Sequence, residues 1–195
     1  MNVYNSKNIK AELRKIVSSR LKNLSDSSRS KIDASICKQV MELDEYLKSD
    51  TVFLYYGIDW EINTLPLIIS ALNAGKKVAL PRCINKLHME ARYITSIDEL
   101  VSGVYNIPEP SADCRICPPE NIDFAAIPCI ACDSHCRRLG RGGGYYDRFL
   151  KNSTFYKAAL CKKESLIPEV PTEDFDELVD CVITENEIFF RTVGD

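Results

Sequence analysis

The chain contains 195 residues, of which 45% are apolar and 27% are charged, and its formal net charge is −3. These fractions are typical of an ordinary globular protein and exclude the disordered class, and no apolar run approaches the roughly 20 residues that a membrane-spanning helix needs. The slight acidic excess argues against a nucleic-acid-binding protein, for which a basic surface is typical.

Apolar residues at helical or alternating spacing predict the secondary structure in chain order. Predicted helices span residues 6–24, 28–43, 65–74, 96–101 and 145–151. Predicted strands span residues 51–56, 77–80, 89–95, 123–132, 157–161, 181–184 and 188–191. Ser28 is expected to cap the second helix, Pro81 to end the second strand, and Pro128 to introduce a bulge or bend. Residues 103–119 are rich in turn-forming residues and are predicted to be a long surface loop.

Strands that alternate with helices are typical of the α/β class. We expect a single domain over residues 1–195, built on a mostly parallel open sheet with helices on both faces. Ligands bind such sheets outside the carboxyl ends of the strands. Three unusual segments follow predicted strands and are expected to converge at this edge: Asp59 with Glu61, Pro81 with Arg82, and residues 133–144.

The most informative segment is the glycine-rich loop Arg137–Arg148, with the sequence Arg-Arg-Leu-Gly-Arg-Gly-Gly-Gly-Tyr-Tyr-Asp-Arg. Its four glycines allow positive φ and close approach to a ligand, and successive N–H groups in such a loop bind anions. Arg138 and Arg141 add guanidinium groups that bind phosphate oxygens. The loop therefore predicts a polyphosphate site; a flexible surface loop with solvated arginines is the alternative. Neither a Walker loop nor a dinucleotide-binding fingerprint is present.

Eight segments of the chain, in the same order, resemble the motifs of one enzyme family. They are Lys10–Arg14, Tyr55–Gly57, Glu61–Thr64, Gly75–Arg82, Ile107–Pro110, Arg138–Leu150, Val179–Asp180 and Ile183–Glu185. On these residues the chain resembles 5-formyltetrahydrofolate cyclo-ligase, also called 5,10-methenyltetrahydrofolate synthetase. The resemblance extends over nearly the whole chain, and the glycine-rich loop is its most specific part.

The resemblance implies an ATP- and Mg²⁺-dependent ligase of one-carbon metabolism that converts 5-formyltetrahydrofolate to 5,10-methenyltetrahydrofolate, with release of ADP and phosphate. ATP is needed because a formamide oxygen is a poor leaving group. The N10 nitrogen displaces it only after the oxygen has been phosphorylated, and the protein aligns the groups and stabilises charge. The expected partners are a reduced folate and ATP, without nucleic acid or membrane, and we expect a monomer in the cytoplasm.

The resemblance also implies roles for individual residues. The implied ATP-binding residues are Lys10, Arg14, Arg138, Gly140, Arg141, Gly142, Gly143, Gly144, Tyr145 and Tyr146. The implied folate-binding residues are Tyr56, Glu61, Arg141, Gly142, Gly143, Gly144 and Tyr145. Arg138 and Arg141 are the implied catalytic residues, Asp147 and Asp180 the implied Mg²⁺ ligands, and Asp133 a further candidate for orienting the reacting groups.

Two alternatives stay open for these charged residues on the sequence alone. Lys10 and Arg14, four residues apart on a predicted helix, are either phosphate ligands or a solvated basic flank. Asp147 is either a metal ligand or a carboxylate that interacts with the dipole of the following helix in its first turn.

The nine cysteines, an odd number, argue against a disulfide framework and for reduced thiols inside a cell. The pairs Cys114–Cys117 and Cys129–Cys132 have the spacing of a four-thiolate zinc site, so an alternative function is a zinc-ribbon-like module that contacts nucleic acid or protein. The predicted strand argues against it, because residues three apart on a strand face opposite sides. Cys136 stands where the family more often has glycine, which puts the shape of that turn in question.

A last alternative is a relative that binds folate or nucleotide without turnover. All charged residues of the family's motifs are present in the chain, which argues against it.

Overall fold

Five α-helices and twelve strands are found in residues 3–192, the part of the chain that the computed structural model describes. The helices are α1 (Val3–Lys22), α2 (Asp26–Glu42), α3 (Asp44–Leu47), α4 (Leu65–Asn73) and α5 (Tyr145–Leu150). The strands are β1 (Thr51–Phe53), β2 (Lys77–Cys83), β3 (Met89–Ile94), β4 (Leu100–Ser102), β5 (Pro108–Pro110), β6 (Ile116–Cys117), β7 (Phe124–Pro128), β8 (Ala131–Cys132), β9 (Arg138–Leu139), β10 (Tyr156–Leu160), β11 (Cys181–Ile183) and β12 (Ile188–Phe190). Within this range no helix has the length and apolarity needed to cross a bilayer.

Eight strands form one sheet in the order β12-β11-β10-β7-β1-β2-β3-β6. The five strands from β11 to β2 pair in parallel, whereas β12, β3 and β6 add antiparallel edges. Every residue of β1 and β11 is buried, as expected for central parallel strands that are covered on both faces. The predicted α/β fold with a mostly parallel sheet is confirmed.

Helices cover both faces of this sheet, as predicted. On one face, α2 and α4 bury Ile36, Val40, Leu67 and Ile68 against the strands. On the other face lie α5 and the hairpin formed by β8 and β9, and the ring of Phe149 from α5 stacks on Phe53 with centroids 4.9 Å apart. Helix α1 packs on the outer side of this hairpin and thus reaches the glycine-rich loop that follows it.

The start of α2 differs from the prediction. Ser25, not Ser28, is the N-cap: its backbone is extended, with φ −67° and ψ 154°, and its hydroxyl accepts the N–H of Ser28 at 3.2 Å. Ser28 therefore lies within the first turn, where it donates to the cap.

Strand β2 runs through Pro81 instead of ending before it, so that prediction is wrong. The carbonyl oxygen of Ala79 accepts a hydrogen bond from the N–H of Leu54, so the backbone groups of Ala79 face β1. Residues two apart on a strand have the same orientation, so the backbone groups of Pro81 also face that side. Because β1 ends at Phe53, no ladder bond is lost at the proline.

Two further segments correct the predicted boundaries. The bend predicted at Pro128 is confirmed, but the predicted strand 123–132 does not continue beyond it, because β8 pairs with β9 outside the main sheet. The predicted loop 103–119 contains β5 and β6, and Glu109 within it is buried. The predicted helix 96–101 is only a 3₁₀ turn, Ile97–Glu99, which leads directly into β4.

Candidate functional site

The glycine-rich loop connects β9 to α5 and has the backbone conformation that its sequence predicts. Gly142 has φ 99° and Gly144, the N-cap of α5, has φ 66°, values that other residues rarely adopt. The N–H groups of Gly142, Gly143 and Gly144 find no acceptor within residues 3–192. The loop therefore presents a row of backbone donors, which is the arrangement that binds anions.

Helix α1 places a guanidinium group against this loop. Nε of Arg14 donates to the carbonyl oxygen of Gly140 at 2.8 Å, and a Cβ atom on Gly142 would lie 3.3 Å from the Arg14 guanidinium carbon. Arg14 thus lies beside the backbone donors rather than in bulk solvent, which favours the phosphate-ligand interpretation over a solvated flank.

Lys10, one turn earlier on α1, is already paired with two carboxylates. Its Nζ lies 2.9 Å from Glu173 and 2.5 Å from Asp176. Burial lowers the pKa of Lys10, but the hydrogen bonds and charges of Asp176 and Glu173 outweigh it, so the pKa is raised above its ordinary value. Lys10 therefore stays charged, and in this arrangement it anchors α1 to the segment 173–176.

Arg138 and Asp147 form a buried ion pair beneath the loop. Nη2 of Arg138 donates to Oδ1 of Asp147 at 2.6 Å, and only 2% of the Arg138 side chain is exposed. The buried Nε of Arg138 has no hydrogen-bond partner among the described residues. The pair joins the strand before the loop to the helix after it, and so it holds the ends of the loop together.

Arg141, at the tip of the loop, pairs with the turn that follows β1. Its Nε donates to Oε1 of Glu61 at 2.8 Å, and its Nη1 lies 3.2 Å from Asp59. Burial raises the pKa of Glu61 above its ordinary value, while the hydrogen bond from Arg141 opposes that rise. Arg141, to which the resemblance gives contacts with both ATP and folate, is thus ion-paired with Glu61, an implied folate-binding residue.

A cavity of about 190 Å³ lies where these elements meet. It is lined by Ser18, Leu21, Asp59, Trp60, Glu61, Cys129, Ile130 and Arg141. Trp60 is the chain's only tryptophan and packs against Arg29, whose guanidinium carbon lies 4.8 Å from its ring centroid. Neither Trp60 nor Ser18 is predicted as a site residue, although a single large aromatic residue beside Glu61 in a turn was an available signal.

The tyrosines of the site occupy three different environments. Tyr145 donates through its hydroxyl to the carbonyl oxygen of Asn85 at 3.0 Å. Tyr146 faces inwards against Phe53, and burial raises the pKa of its hydroxyl well above the ordinary value. Tyr56 is half-buried at the carboxyl end of β1. Of these three tyrosines Tyr145 contacts the hairpin between β2 and β3, to which Nε of Arg148 also donates, at the carbonyl oxygen of Leu87.

The expected convergence of three segments is confirmed in part. The turn after β1 and the loop from Gly140 onwards meet, as predicted. Arg82 instead donates to the carbonyl oxygen of Pro110, and the segment after β2 reaches the site through Asn85. The β8–β9 hairpin carries residues 133–137 away from the edge, since Cys136 accepts the N–H of Val179 near the amino end of β11.

Asp133 is fully buried and has a structural role within this hairpin. Its carboxylate accepts three backbone N–H groups, those of His135, Arg137 and Val170, at 2.8–3.1 Å. It orients the hairpin, not the reacting groups. Cys136, at the tip, has φ 61°, so the turn keeps the left-handed backbone that a glycine would adopt there.

The two predicted metal ligands differ in how well they fit Mg²⁺. Asp147 uses Oδ1 to bind Arg138 and to accept the N–H of Glu177, whereas its Oδ2 accepts no hydrogen bond from the described residues. Asp180 lies before β11, at the amino edge of the sheet, where its Oδ2 accepts the N–H of Lys157 at 2.7 Å. Asp147 therefore fits a single-carboxylate Mg²⁺ site at the loop, and Asp180 does not share that place.

The cysteines also correct the prediction. Cys129 and Cys132 do not face opposite sides: their sulfur atoms lie 3.2 Å apart, because the chain bends after Pro128 instead of continuing as one strand. The other predicted pair lies elsewhere, since Cys117 belongs to β6 at the edge of the sheet. The four thiols of the two pairs do not form one cluster.

Comparisons with known proteins agree with this geometry. A family model described as the 5-formyltetrahydrofolate cyclo-ligase family matches residues 6–185. A probable 5-formyltetrahydrofolate cyclo-ligase of Schizosaccharomyces pombe is 31% identical over 92% of this chain and 96% of that protein. The 5-formyltetrahydrofolate cyclo-ligase of Escherichia coli K12 is 28% identical over 89% of this chain and 99% of that protein.

A solved structure extends the likeness to the fold. The NMR structure of Aquifex aeolicus 5,10-methenyltetrahydrofolate synthetase superposes with a TM-score of 0.86 and 31% sequence identity, covering 96% of this chain and 95% of that one. The family model spans both the turn after β1 and the glycine-rich loop. The chain belongs to the 5-formyltetrahydrofolate cyclo-ligase family.

Proposed function

We propose that this protein closes the ring of 5-formyltetrahydrofolate to give 5,10-methenyltetrahydrofolate, with conversion of ATP to ADP and phosphate, the formyl oxygen leaving in the phosphate. The observation that carries the proposal is the meeting of Arg141, on a loop of free backbone donors, with Glu61 in the turn after β1. The proposed phosphate-binding loop thus lies beside a carboxylate that could bind a pterin ring, and the names of the relatives reported above support the same activity.

The triphosphate of ATP is proposed to bind between α1 and the glycine-rich loop. Backbone N–H groups of Gly142, Gly143 and Gly144 and the guanidinium of Arg14 all lie at this place. Backbone donors and arginine forks together suit phosphate oxygens. Arg138 is proposed to be a positioning residue, whose ion pair with Asp147 holds the two ends of the loop together.

Mg²⁺ is proposed to bind through Asp147 and phosphate oxygens. Magnesium ions at such sites use one or two carboxylates, several waters and the substrate phosphates, and the uncommitted Oδ2 of Asp147 satisfies that need. The bound ion supplies charge neutralisation for the phosphates. The ion pair with Arg138 holds the Asp147 carboxylate in place in the first turn of α5.

The pterin of the folate is proposed to bind Glu61. A carboxylate accepts paired N–H donors well, and Glu61 is fixed by the N–H of Ile58 at 3.2 Å and lines the cavity beside Trp60. Folate binding at Glu61 requires the ion pair with Arg141 to open. Arg141 is then released towards the phosphates at the moment when both substrates are present.

In the proposed reaction the formyl oxygen attacks the γ-phosphorus atom, ADP leaves, and the N10 nitrogen then closes the ring as phosphate departs. The protein contributes alignment and stabilisation of the negative charge on the transferring group. Arg141 is the side chain best placed for that stabilisation, because it is partly exposed at the junction of the two proposed subsites.

A direct assay tests the proposal. The purified protein, given 5-formyltetrahydrofolate, ATP and Mg²⁺, is expected to produce the methenyl product, followed by its absorbance, and one ADP for each product formed. Omission of ATP should abolish the product. Failure to form the methenyl product while all components are present and the protein is folded would refute the proposed activity.

A further inference from the structure

Three thiols converge at the carboxyl edge of the sheet, next to the proposed active site. The sulfur atoms of Cys129, Cys132 and Cys161 all lie within 4.8 Å of one another, and those of Cys129 and Cys132 are 3.2 Å apart. Among residues 3–192 this is the one group of three or more metal-ligating side chains at such distances. The proposed ligase reaction uses none of them.

The topology of the sheet explains why the thiols meet. Strands β7 and β10 are parallel neighbours, with Pro128 paired to Leu160, so the next residues, Cys129 and Cys161, emerge side by side. The bend after Pro128 then turns the chain back, and β8 brings Cys132 against both. Two ligands thus come from a Cys-x-x-Cys turn and the third from an adjacent strand end.

We propose that Cys129, Cys132 and Cys161 form a binding site for one Zn²⁺ ion. Thiolates are the ligands that zinc prefers, at Zn–S distances of about 2.3 Å. Two sulfurs bound to one ion are therefore at most about 4.6 Å apart, so the observed cluster reaches this geometry with only small side-chain movements. The proposal is independent of the ligase activity.

The surroundings of the cluster suit a cation that carries three thiolates. Binding replaces each S–H bond with a Zn–S bond and releases the proton to solvent, which leaves a complex with one net negative charge. The buried cation Lys162, which follows Cys161 directly in the chain, lies near the cluster, although it is also paired with Asp33.

The cavity beside Cys129 provides a route for the zinc ion and room for a fourth ligand. The three sulfur atoms are buried, and Cys129, whose residue as a whole is partly exposed, lines the cavity shared with Glu61 and Arg141. An ion enters from this cavity, and a water molecule in it completes the tetrahedral shell. The site therefore joins the ends of β7 and β10 to the β8–β9 hairpin, and zinc is expected to raise the melting temperature.

The test measures zinc binding by the whole protein with reduced thiols. Wild-type protein is loaded with Zn²⁺, freed of excess, and analysed for metal content and affinity with a competing chelator. We expect one Zn²⁺ per chain and at least a tenfold loss of affinity in each of Cys129→Ser, Cys132→Ser and Cys161→Ser. Cys117→Ser, which removes a buried thiol outside the cluster, is the matched control and should bind as wild type does.

Spectroscopy of the wild type makes the test independent of variant folding. X-ray absorption of the zinc-loaded protein should show three sulfur neighbours at about 2.3 Å, and Co²⁺ in place of Zn²⁺ should give thiolate-to-metal charge-transfer bands. The proposal is overturned if the protein retains no zinc, if the shell contains mainly nitrogen and oxygen, or if Cys117→Ser loses as much zinc as the cluster variants. Peroxide-induced formation of a Cys129–Cys132 disulfide in protein that binds no zinc would also overturn it.

Discussion

At the scale of single residues, Arg141 occupies the position where the two proposed substrates meet. We expect Arg141→Ala to lower kcat by about 10²- to 10³-fold, because one preorganised donor to a developing negative charge contributes on that scale. Arg141→Lys keeps the charge but loses the two-pronged geometry, and should recover part of the rate. Steady-state kinetics measure both, and an unchanged kcat in Arg141→Ala would assign this side chain to the surface.

Glu61 gives a prediction about pH. Its pKa is raised by burial, so the carboxylate takes up a proton at a pH above the ordinary range for glutamate. Because only the ionised form accepts two hydrogen bonds from the pterin, folate affinity should fall as pH decreases through this raised pKa. Binding of 5-formyltetrahydrofolate, measured calorimetrically from pH 7.5 down to about 5, is expected to weaken in wild type.

The variant Glu61→Gln separates binding from stability. A folded-state pKa above the unfolded value stabilises the fold at low pH, and this contribution is lost as pH rises through the folded pKa. At pH 7 the ionised Glu61 therefore costs stability, and Glu61→Gln should melt no lower than wild type while binding folate about 10- to 100-fold more weakly. A lower melting temperature together with unaltered folate affinity would contradict the proposed role.

At the scale of elements, the turn after β1 depends on a glycine. A Cβ atom on Gly57 would lie 1.8 Å from the carbonyl oxygen of Ile62, so the turn that carries Asp59 and Glu61 must move in Gly57→Ala. We expect a loss of about 3 kcal/mol in the free energy of unfolding and weaker folate binding.

The matched control for this turn is Gly75→Ala, at the end of α4. Gly75 has φ 77° but open space around its Cβ position, so the cost should be limited to backbone strain of about 1 kcal/mol. Urea denaturation measures the free energy of unfolding of both variants. Equal losses in the two would show that the backbone at Ile62 moves aside at little cost in free energy.

The helices and strands differ in how accurately their bounds are predicted from the sequence. The glycine-rich loop and α5 were predicted within one residue, since glycine and the helical residues after it act locally. The strand ending at Pro128 was predicted too long, because the bend that brings Cys132 back to Cys129 depends on pairing between β8 and β9. Local periodicity contains no information about that pairing.

At the scale of the whole molecule, nucleotide binding should connect α1 to the sheet. Arg14 from α1 and the loop after β9 both contribute to the proposed triphosphate site. We therefore expect Mg·ATP to raise the melting temperature and to slow hydrogen exchange in the middle of α1.

The comparison of two arginines on α1 tests this connection. Arg14→Ala should remove most of the thermal shift caused by Mg·ATP, whereas Arg20→Ala, an exposed arginine on the same helix, should leave it unchanged. Equal shifts in both variants would place the triphosphate away from α1.

The sequence by itself determined the family, the α/β class and the loop at Gly140–Tyr145, because these depend on local spacing and on motifs that are read directly from the chain. The tertiary structure alone decided which side chains share a partner. In the folded protein Arg141 pairs with Glu61, and Arg138 is buried beneath the loop. Asp180 lies far from Asp147, and the three thiols of the proposed zinc site lie together. Such contacts depend on strand order and on the path of a hairpin, and residues such as Glu61 and Arg141, 80 positions apart, meet only when the sheet has formed.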